Sequence, residues 1–254
     1  MMKRVVPAVA RRLGYEIRRI GEPDDRTGID PHEATVLKTV RPYTMTSTER
    51  VLALVQATRY VSRNRVPGAF VECGVWRGGS MLASALTLCA EGDTERELFL
   101  FDTFEGMSAP TDADRDLAGS AASDLLASSP KGSSVRADAS LEDVKHTMSL
   151  VGYPPERIHF VAGKVEDTLP HAALGEIALL RLDTDWYEST AHELKHLYPA
   201  LAVGGVLIID DYGHWMGARR ATDEYFAQPG VAPLLFHPID YTGRIAVKVW
   251  KGTA

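Results

Sequence analysis

The chain has 254 residues, 45% hydrophobic and 24% charged, with a formal net charge of −6. That length suits one α/β domain with an appendage, and the acidic balance leaves no basic footprint for nucleic acid. No run approaches the ~20 apolar residues of a transmembrane helix, and the two cysteines, Cys73 and Cys89, read as reduced core residues of a cytoplasmic protein.

Residues 1–20 are basic (Lys3, Arg4, Arg11, Arg12, Arg18 and Arg19 against Glu16), and Val6, Val9, Leu13, Ile17 and Ile20 form a helical stripe. Such a stripe needs a surface to cover: the body of the protein, a second subunit, or an anionic membrane face. A homodimer or higher homo-oligomer is the expectation. Residues 21–33 are polar, carry two prolines and read as a linker, so 1–40 is taken as an N-terminal arm and 41–254 as the main domain. Thr46 and Glu49 have capping-box spacing and open a helix whose apolar faces include Val51, Leu54, Val55 and Val61.

Ala69 to Gly74 is a short strand. It runs into the glycine-rich turn Gly74-Val75-Trp76-Arg77-Gly78-Gly79-Ser80 and then a helix, the first unit of a nucleotide-binding α/β fold. Leu98 to Phe101 is the second strand and ends at Asp102, where such folds hold ribose hydroxyls. Residues 108–139 turn rich in Ser, Ala, Asp and Gly, and read as a surface insertion acting as a lid, with a short helix near Ala121 to Ala127. Ser140 caps a helix from Leu141 to Leu150, and Ile158 to Ala162 is the third strand.

Two apolar runs follow, each ending in paired acids: Ile177 to Leu182 before Asp183 and Asp185, and Gly204 to Ile209 before Asp210 and Asp211. Between them Thr190, Leu194, Leu197 and Leu201 form one helical stripe, and Pro199 sits near its end. A strand–helix–strand crossover brings both strand ends to one edge of a parallel sheet, where open α/β sheets bind ligands. Carboxylates gathered there repel one another unless a cation sits among them, and hard oxygen donors suit Mg²⁺, Mn²⁺ or Ca²⁺. Trp215 to Phe226 is helical, and Leu234 to Ile239 and Arg244 to Trp250 are strands of a hairpin.

His192-Glu193-Leu194-Lys195-His196 matches the zinc-protease pattern H-E-x-x-H, but the histidines lie opposite the apolar stripe and no third ligand is evident. Asp183-Thr184-Asp185 also suits haloacid-dehalogenase-like phosphatases, or glycosyltransferases that hold a nucleotide-sugar through a metal. The first would need an early strand, and the second leaves Asp210 and Asp211 without a role.

Six stretches together resemble the macrocin O-methyltransferase (TylF-like) family: Y-T-M-T-S at 43–47, V-E-C-G-V-W-R-G-G-S at 71–80, F-D-T-F-E-G-M at 101–107, G-K-V-E-D-T-L-P at 163–170, R-L-D-T-D-W-Y-E-S-T at 181–190 and I-I-D-D-Y-G-H-W at 208–215. The resemblance implies the class I methyltransferase sandwich, a seven-stranded, mostly parallel Rossmann-like sheet with an antiparallel C-terminal hairpin. It also implies transfer of a methyl group from S-adenosylmethionine, with Mg²⁺ or Mn²⁺, to a sugar hydroxyl of a glycosylated natural product or oligosaccharide. Carried over by position, Asp183, Asp210 and Asp211 are the metal ligands and Asp185 the general base. Glu72 and the turn Gly74, Val75, Trp76 and Gly78 hold the methionine side of the cofactor, which Asp183 also meets. Asp102 meets the ribose, Ser140, Val165 and Glu166 lie on the adenine side, and Thr44 and Met45 close over the cofactor. A catechol-like diol is the alternative acceptor; a metal-dependent glycosyltransferase and a non-catalytic cofactor-binding homologue are the alternatives from other classes.

Overall fold

The computed structural model describes residues 28–133 and 135–250, so the basic stripe of residues 1–20 lies outside them. Five apolar runs form parallel strands: β1 (Ala69–Cys73), β2 (Leu98–Asp102), β3 (Ile158–Ala162), β4 (Ile177–Leu182) and β5 (Leu201–Ile209). The two-residue β6 (His237–Pro238) pairs antiparallel with β7 (Arg244–Val247), which is antiparallel to β5. The seven-stranded order is β3-β2-β1-β4-β5-β7-β6, the mostly parallel sheet with a reversed C-terminal hairpin that the sequence implied.

The helices are α1 (Pro31–Val40), α2 (Thr48–Arg63), α3 (Gly79–Glu91), α4 (Ala122–Ser128), α5 (Leu141–Met148), the single turn α6 (Val165–Thr168), α7 (Tyr187–Leu197) and α8 (Met216–Phe226). Alternate strand residues face opposite layers. Phe70, Leu98, Leu100, Leu179 and Ile208 pack with Val55 of α2, Leu82 of α3 and Val144 of α5. Val71, Phe101, Leu180, Leu182 and Leu207 pack with Leu194 and Leu197 of α7. Burial on both faces explains why the central strands read as unbroken apolar runs. β2 and β4 flank β1 on opposite sides, so the topology switches there and opens a crevice at the C-terminal ends of β1 and β4.

Several local expectations change. Residues 31–40 are not linker: Asp30 and Glu33 form a capping box, Pro31 occupies the first turn, and Val36 and Val40 are buried in the main core. The body therefore begins near residue 30 rather than 41. Ser47, not Thr46, caps α2 by accepting from the Arg50 amide at 3.1 Å; the Thr46 hydroxyl is taken up by Thr44 at 2.9 Å. α5 stops at Met148, and α7 gives way to a 3₁₀ turn through Pro199, so that Leu201 already belongs to β5. The hairpin strands are shorter than their apolar runs.

The insertion read as a lid is docked on the body. Ala122 joins Trp186, Trp215 and Ala218 in a small third core, against which Met107, Leu125 and Leu126 pack. Asp116 bridges Trp215, and the Trp186 indole donates to the Ser108 carbonyl at 3.0 Å.

Candidate active site

The crevice is walled by the glycine turn after β1, the end of β2, the start of the insertion, and the ends of β4 and β5. Gly74 adopts φ 80°, and a Cβ there would overlap the Asp183 carbonyl, so only glycine lets β1 and β4 end this close together. Gly79 likewise lets the Tyr43–Thr44 backbone cross the start of α3. Asp102 holds the turn: its Oδ2 accepts from the amides of Val75 at 2.6 Å and Trp76 at 3.0 Å, and its Oδ1 from the Phe104 amide at 2.8 Å.

Strand pairing continues one step past β4 and β5, since the amide of Asp183 donates to Cys73 and that of Asp210 to Leu182, both at 2.9 Å. The acids therefore lie level with one another at the sheet edge. Asp183, Asp185 and Asp211 each offer one oxygen within 4.8 Å of the others. Asp185 reaches this cluster through a left-handed backbone, φ 69°.

Asp210, expected as the third metal ligand, lines the crevice too but sits on the opposite side of its strand from Asp211. Successive residues of an extended chain point to opposite sides, and Asp210 shares its side with Ile208, toward α2. There it pairs with Arg50 and, at 2.8 Å, with Arg181. Arg181 is buried at the centre of this layer, also 2.6 Å from Glu72 and 2.7 Å from Asp183, while Arg50 reaches Asp240 at 3.1 Å. Neither arginine was singled out from the sequence. The available signal was a lone Arg181 inside an apolar strand, in register with Glu72 on β1.

Six carboxylates (Glu72, Asp183, Asp185, Asp210, Asp211 and Asp240) thus gather around two guanidinium groups. Burial pushes Asp183 and Asp211 well above the usual carboxylate range, with neighbouring carboxylates adding to the rise and Arg181 opposing it at Asp183. Burial likewise pushes Glu72 and Asp185 up to about 7. Asp211 Oδ2 is buried without a hydrogen-bond donor among the described residues. An orphaned oxygen within a cluster of carboxyls that resist ionisation is what a hard divalent cation would satisfy, so the donor set fits Mg²⁺ or Mn²⁺.

Of the other expected residues, Thr44, Met45, Gly74, Val75, Trp76, Asp102, Val165 and Glu166 line the crevice with the acids. Three do not. Glu72 lies beneath it on Arg181, Gly78 turns the chain into α3 against Val144 and Thr147, and Ser140 is engaged in a capping box with Asp143. Met107, His214, Trp215 and Tyr241, which sequence reasoning had not singled out as site residues, complete the wall; the first three lie within the 101–107 and 208–215 stretches that carry the resemblance. The His192 and His196 rings lie beside each other on α7, centroids 4.2 Å apart and tilted by 31°, outside the crevice wall.

A family model described as macrocin-O-methyltransferase (TylF) matches residues 24–248. A Streptomyces olivaceus enzyme, 8-demethyl-8-(2,3-dimethoxy-alpha-L-rhamnosyl)-tetracenomycin-C 4'-O-methyltransferase, is 36% identical over 216 residues, covering 84% of this chain and 76% of its own. Demethyldecarbamoylnovobiocin O-methyltransferase of Streptomyces niveus is 35% identical over 190 residues, covering 75% and 70%. The solved structure of the O-methyltransferase NovP superposes with a TM-score of 0.71 at 32% identity, covering 82% of this chain and 83% of that one. The start of the match at residue 24 agrees with α1 being part of the body. The chain belongs to the macrocin-O-methyltransferase (TylF) family and is an O-methyltransferase.

Proposed function

We propose that the enzyme transfers a methyl group from S-adenosylmethionine to a sugar hydroxyl of a glycosylated natural product or oligosaccharide, with Mg²⁺ or Mn²⁺ at the carboxylate cluster. The observation that carries this reading is the convergence of Asp183, Asp185 and Asp211 beside the glycine turn. The sugar acceptor is supported by the S. olivaceus relative, whose name specifies a rhamnosyl group.

When bound, the cation would polarise the acceptor hydroxyl, toward which the donor's sulfonium presents an electrophilic methyl. Asp183 and Asp211 would hold the cation, and Asp185 would accept the acceptor's proton on a carboxylate oxygen. We assign Asp210 to the ion-paired floor of the crevice, because as a ligand it would have to leave two guanidinium groups. Thr44, Met45, Gly74, Val75, Trp76, Asp102, Val165 and Glu166 would bind the donor. Met107, His214, Trp215 and Tyr241 would position the acceptor and exclude water. Glu72, Gly78 and Ser140 would support the donor side from behind without touching it.

The test is incubation of the purified protein with S-adenosylmethionine and either an O-rhamnosylated aromatic polyketide or a simple catechol, with and without EDTA. Mass spectrometry should find a methyl ether on the sugar, lost in EDTA and restored by Mg²⁺. Methylation of the catechol alone would overturn the sugar assignment, and full turnover by exhaustively chelated enzyme would overturn the metal assignment.

A further inference from the structure

The H-E-x-x-H stretch of α7, which holds no zinc site in this reading, contains a buried residue that the methyl-transfer reading leaves without a role. Glu193 is 0% exposed, and its Oε2 has no hydrogen-bond partner among the described residues. Burying a carboxyl without satisfying it is costly, so its retention calls for a reason. Its other oxygen, Oε1, accepts from the Thr184 hydroxyl at 2.9 Å. Thr184 is the middle residue of Asp183-Thr184-Asp185. Glu193 does not line the crevice; it lies beneath it, with the Cys73 thiol at the end of β1 as its neighbour.

The turn that Glu193 grips is strained. Asp185 holds φ 69°, a conformation that is unfavourable for a non-glycine residue and persists only where the surroundings over-determine it. Two hydrogen bonds act on Thr184 itself: its carbonyl accepts from the Trp186 amide at 2.8 Å, and its hydroxyl is held by Glu193. The first closes the turn. The second ties the turn to the buried side of α7, whose neighbouring residue Leu194 is locked in the core.

We infer that Glu193 is a positioning residue: through the Thr184 hydroxyl it holds the Asp183–Asp185 turn in the strained geometry that aims both carboxylates at one point. The inference rests on the proposed roles of Asp183 as cation ligand and Asp185 as base. Removing outer partners of metal ligands typically costs about 10–100-fold in metal affinity or activity.

The experiment uses the full chain and Mn²⁺ alone as probe, titrated by calorimetry, with S-adenosylhomocysteine affinity, melting temperature and kcat measured alongside. Thr184→Val keeps shape but removes the hydroxyl, and Glu193→Leu removes the acceptor. Each should weaken Mn²⁺ binding and lower kcat by about 10–100-fold while S-adenosylhomocysteine affinity is unchanged. Thr184→Ser and Glu193→Gln, which retain a hydroxyl donor and an oxygen acceptor, should restore both. If Glu193→Leu does not fold, Thr184→Val and its serine rescue carry the test. Wild-type Mn²⁺ affinity and kcat in Thr184→Val would overturn the inference. So would a parallel loss of S-adenosylhomocysteine affinity, which marks general loosening. Asp185→Asn is the control for the underlying reading: if it keeps full kcat, the base assignment fails. If the wild-type protein takes up no Mn²⁺, the metal assignment fails. In either case kcat of the Thr184 and Glu193 variants still decides whether the turn is positioned through this contact.

Discussion

At the scale of single residues, Asp210 and Asp211 are neighbours with opposite surroundings. Asp211→Asn should abolish Mn²⁺ binding while leaving the fold intact, because losing one of several like charges relieves repulsion in the metal-free cluster. Asp210→Asn should keep measurable Mn²⁺ binding but destabilise the protein by about 3–5 kcal/mol, since it leaves Arg50 and Arg181 underpaired in a buried layer. Urea unfolding and calorimetry on the two variants separate these outcomes, and loss of metal by both at unchanged stability would return Asp210 to the ligand set. Asp185→Asn should bind S-adenosylhomocysteine normally yet lose roughly 10²–10⁴ in kcat, the range for a general base.

The raised carboxyls also predict a pH dependence. Glu72 and Asp185 ionise at about 7 in the folded protein, against roughly 4 in an unfolded chain. Between those values the unfolded chain gives up protons that the folded one keeps, so stability falls as pH rises and the loss is complete above about 7. In EDTA the melting temperature should therefore be lower at pH 7.5 than at pH 5. Mg²⁺ should raise it more at pH 7.5, where the ligands surrender fewer protons on binding. Equal melting temperatures at both pH values in EDTA would show that these groups titrate normally.

At the scale of elements, the insertion and α7 depend on each other. The residue preceding α7, Trp186, supplies no side-chain cap. The missing acceptor comes from the insertion: Asp114, 0% exposed, accepts from the Tyr187 amide at 2.7 Å and, through its other oxygen, from the Thr111 amide at 2.7 Å. Asp114→Ala should cost about 0.5–2 kcal/mol, the range for a lost helix cap. It should also raise the acceptor KM as the wall carrying Met107 loosens. Unchanged denaturation midpoint and KM would mean that the small third core alone docks the insertion. Caps local in sequence, such as Ser140 with Asp143, were legible because donor and acceptor are three residues apart. The cap of α7 was not, because its acceptor lies 73 residues away. α1 carried a readable capping box in Asp30 and Glu33, but Pro31 beside it resembled linker composition more than a helix start.

At the scale of the whole molecule, no helix among the described residues is long and apolar enough to cross a membrane. Apolar surface remains beyond the sheet edge: Leu235 is 90% exposed, Val249 70% and Trp250 49%. With the apolar stripe that the sequence carries over residues 1–20, this is surface that the expected homodimer would cover. Light scattering should give a dimer for the full chain and a smaller species after deletion of residues 1–20. A monomer of unchanged mass on truncation, co-sedimenting with anionic vesicles only when residues 1–20 are present, would transfer the stripe to a membrane surface.

The sequence by itself determined the strand order of events: apolar runs of strand length, a glycine turn after the first, and acids after the fourth and fifth. These are local patterns, and a parallel sheet with right-handed crossovers leaves few ways to assemble them. Together with the family resemblance it placed the crevice and several of its lining residues, among them Asp102, Asp183, Asp185, Asp210 and Asp211. Only the tertiary structure decided which way each acid faces and what opposes it. The separation of Asp210 from Asp211 follows from the pleat, but which face meets Arg50 depends on how α2 packs across the sheet. Glu72, Arg181 and Asp210 come from the ends of three different strands, and Glu193 reaches the Asp183–Asp185 turn from six residues beyond the start of α7. Charge neutralisation and strain at a buried site are set by groups brought together across the fold. Their partnership is a property of distance in space, which spacing along the chain does not encode.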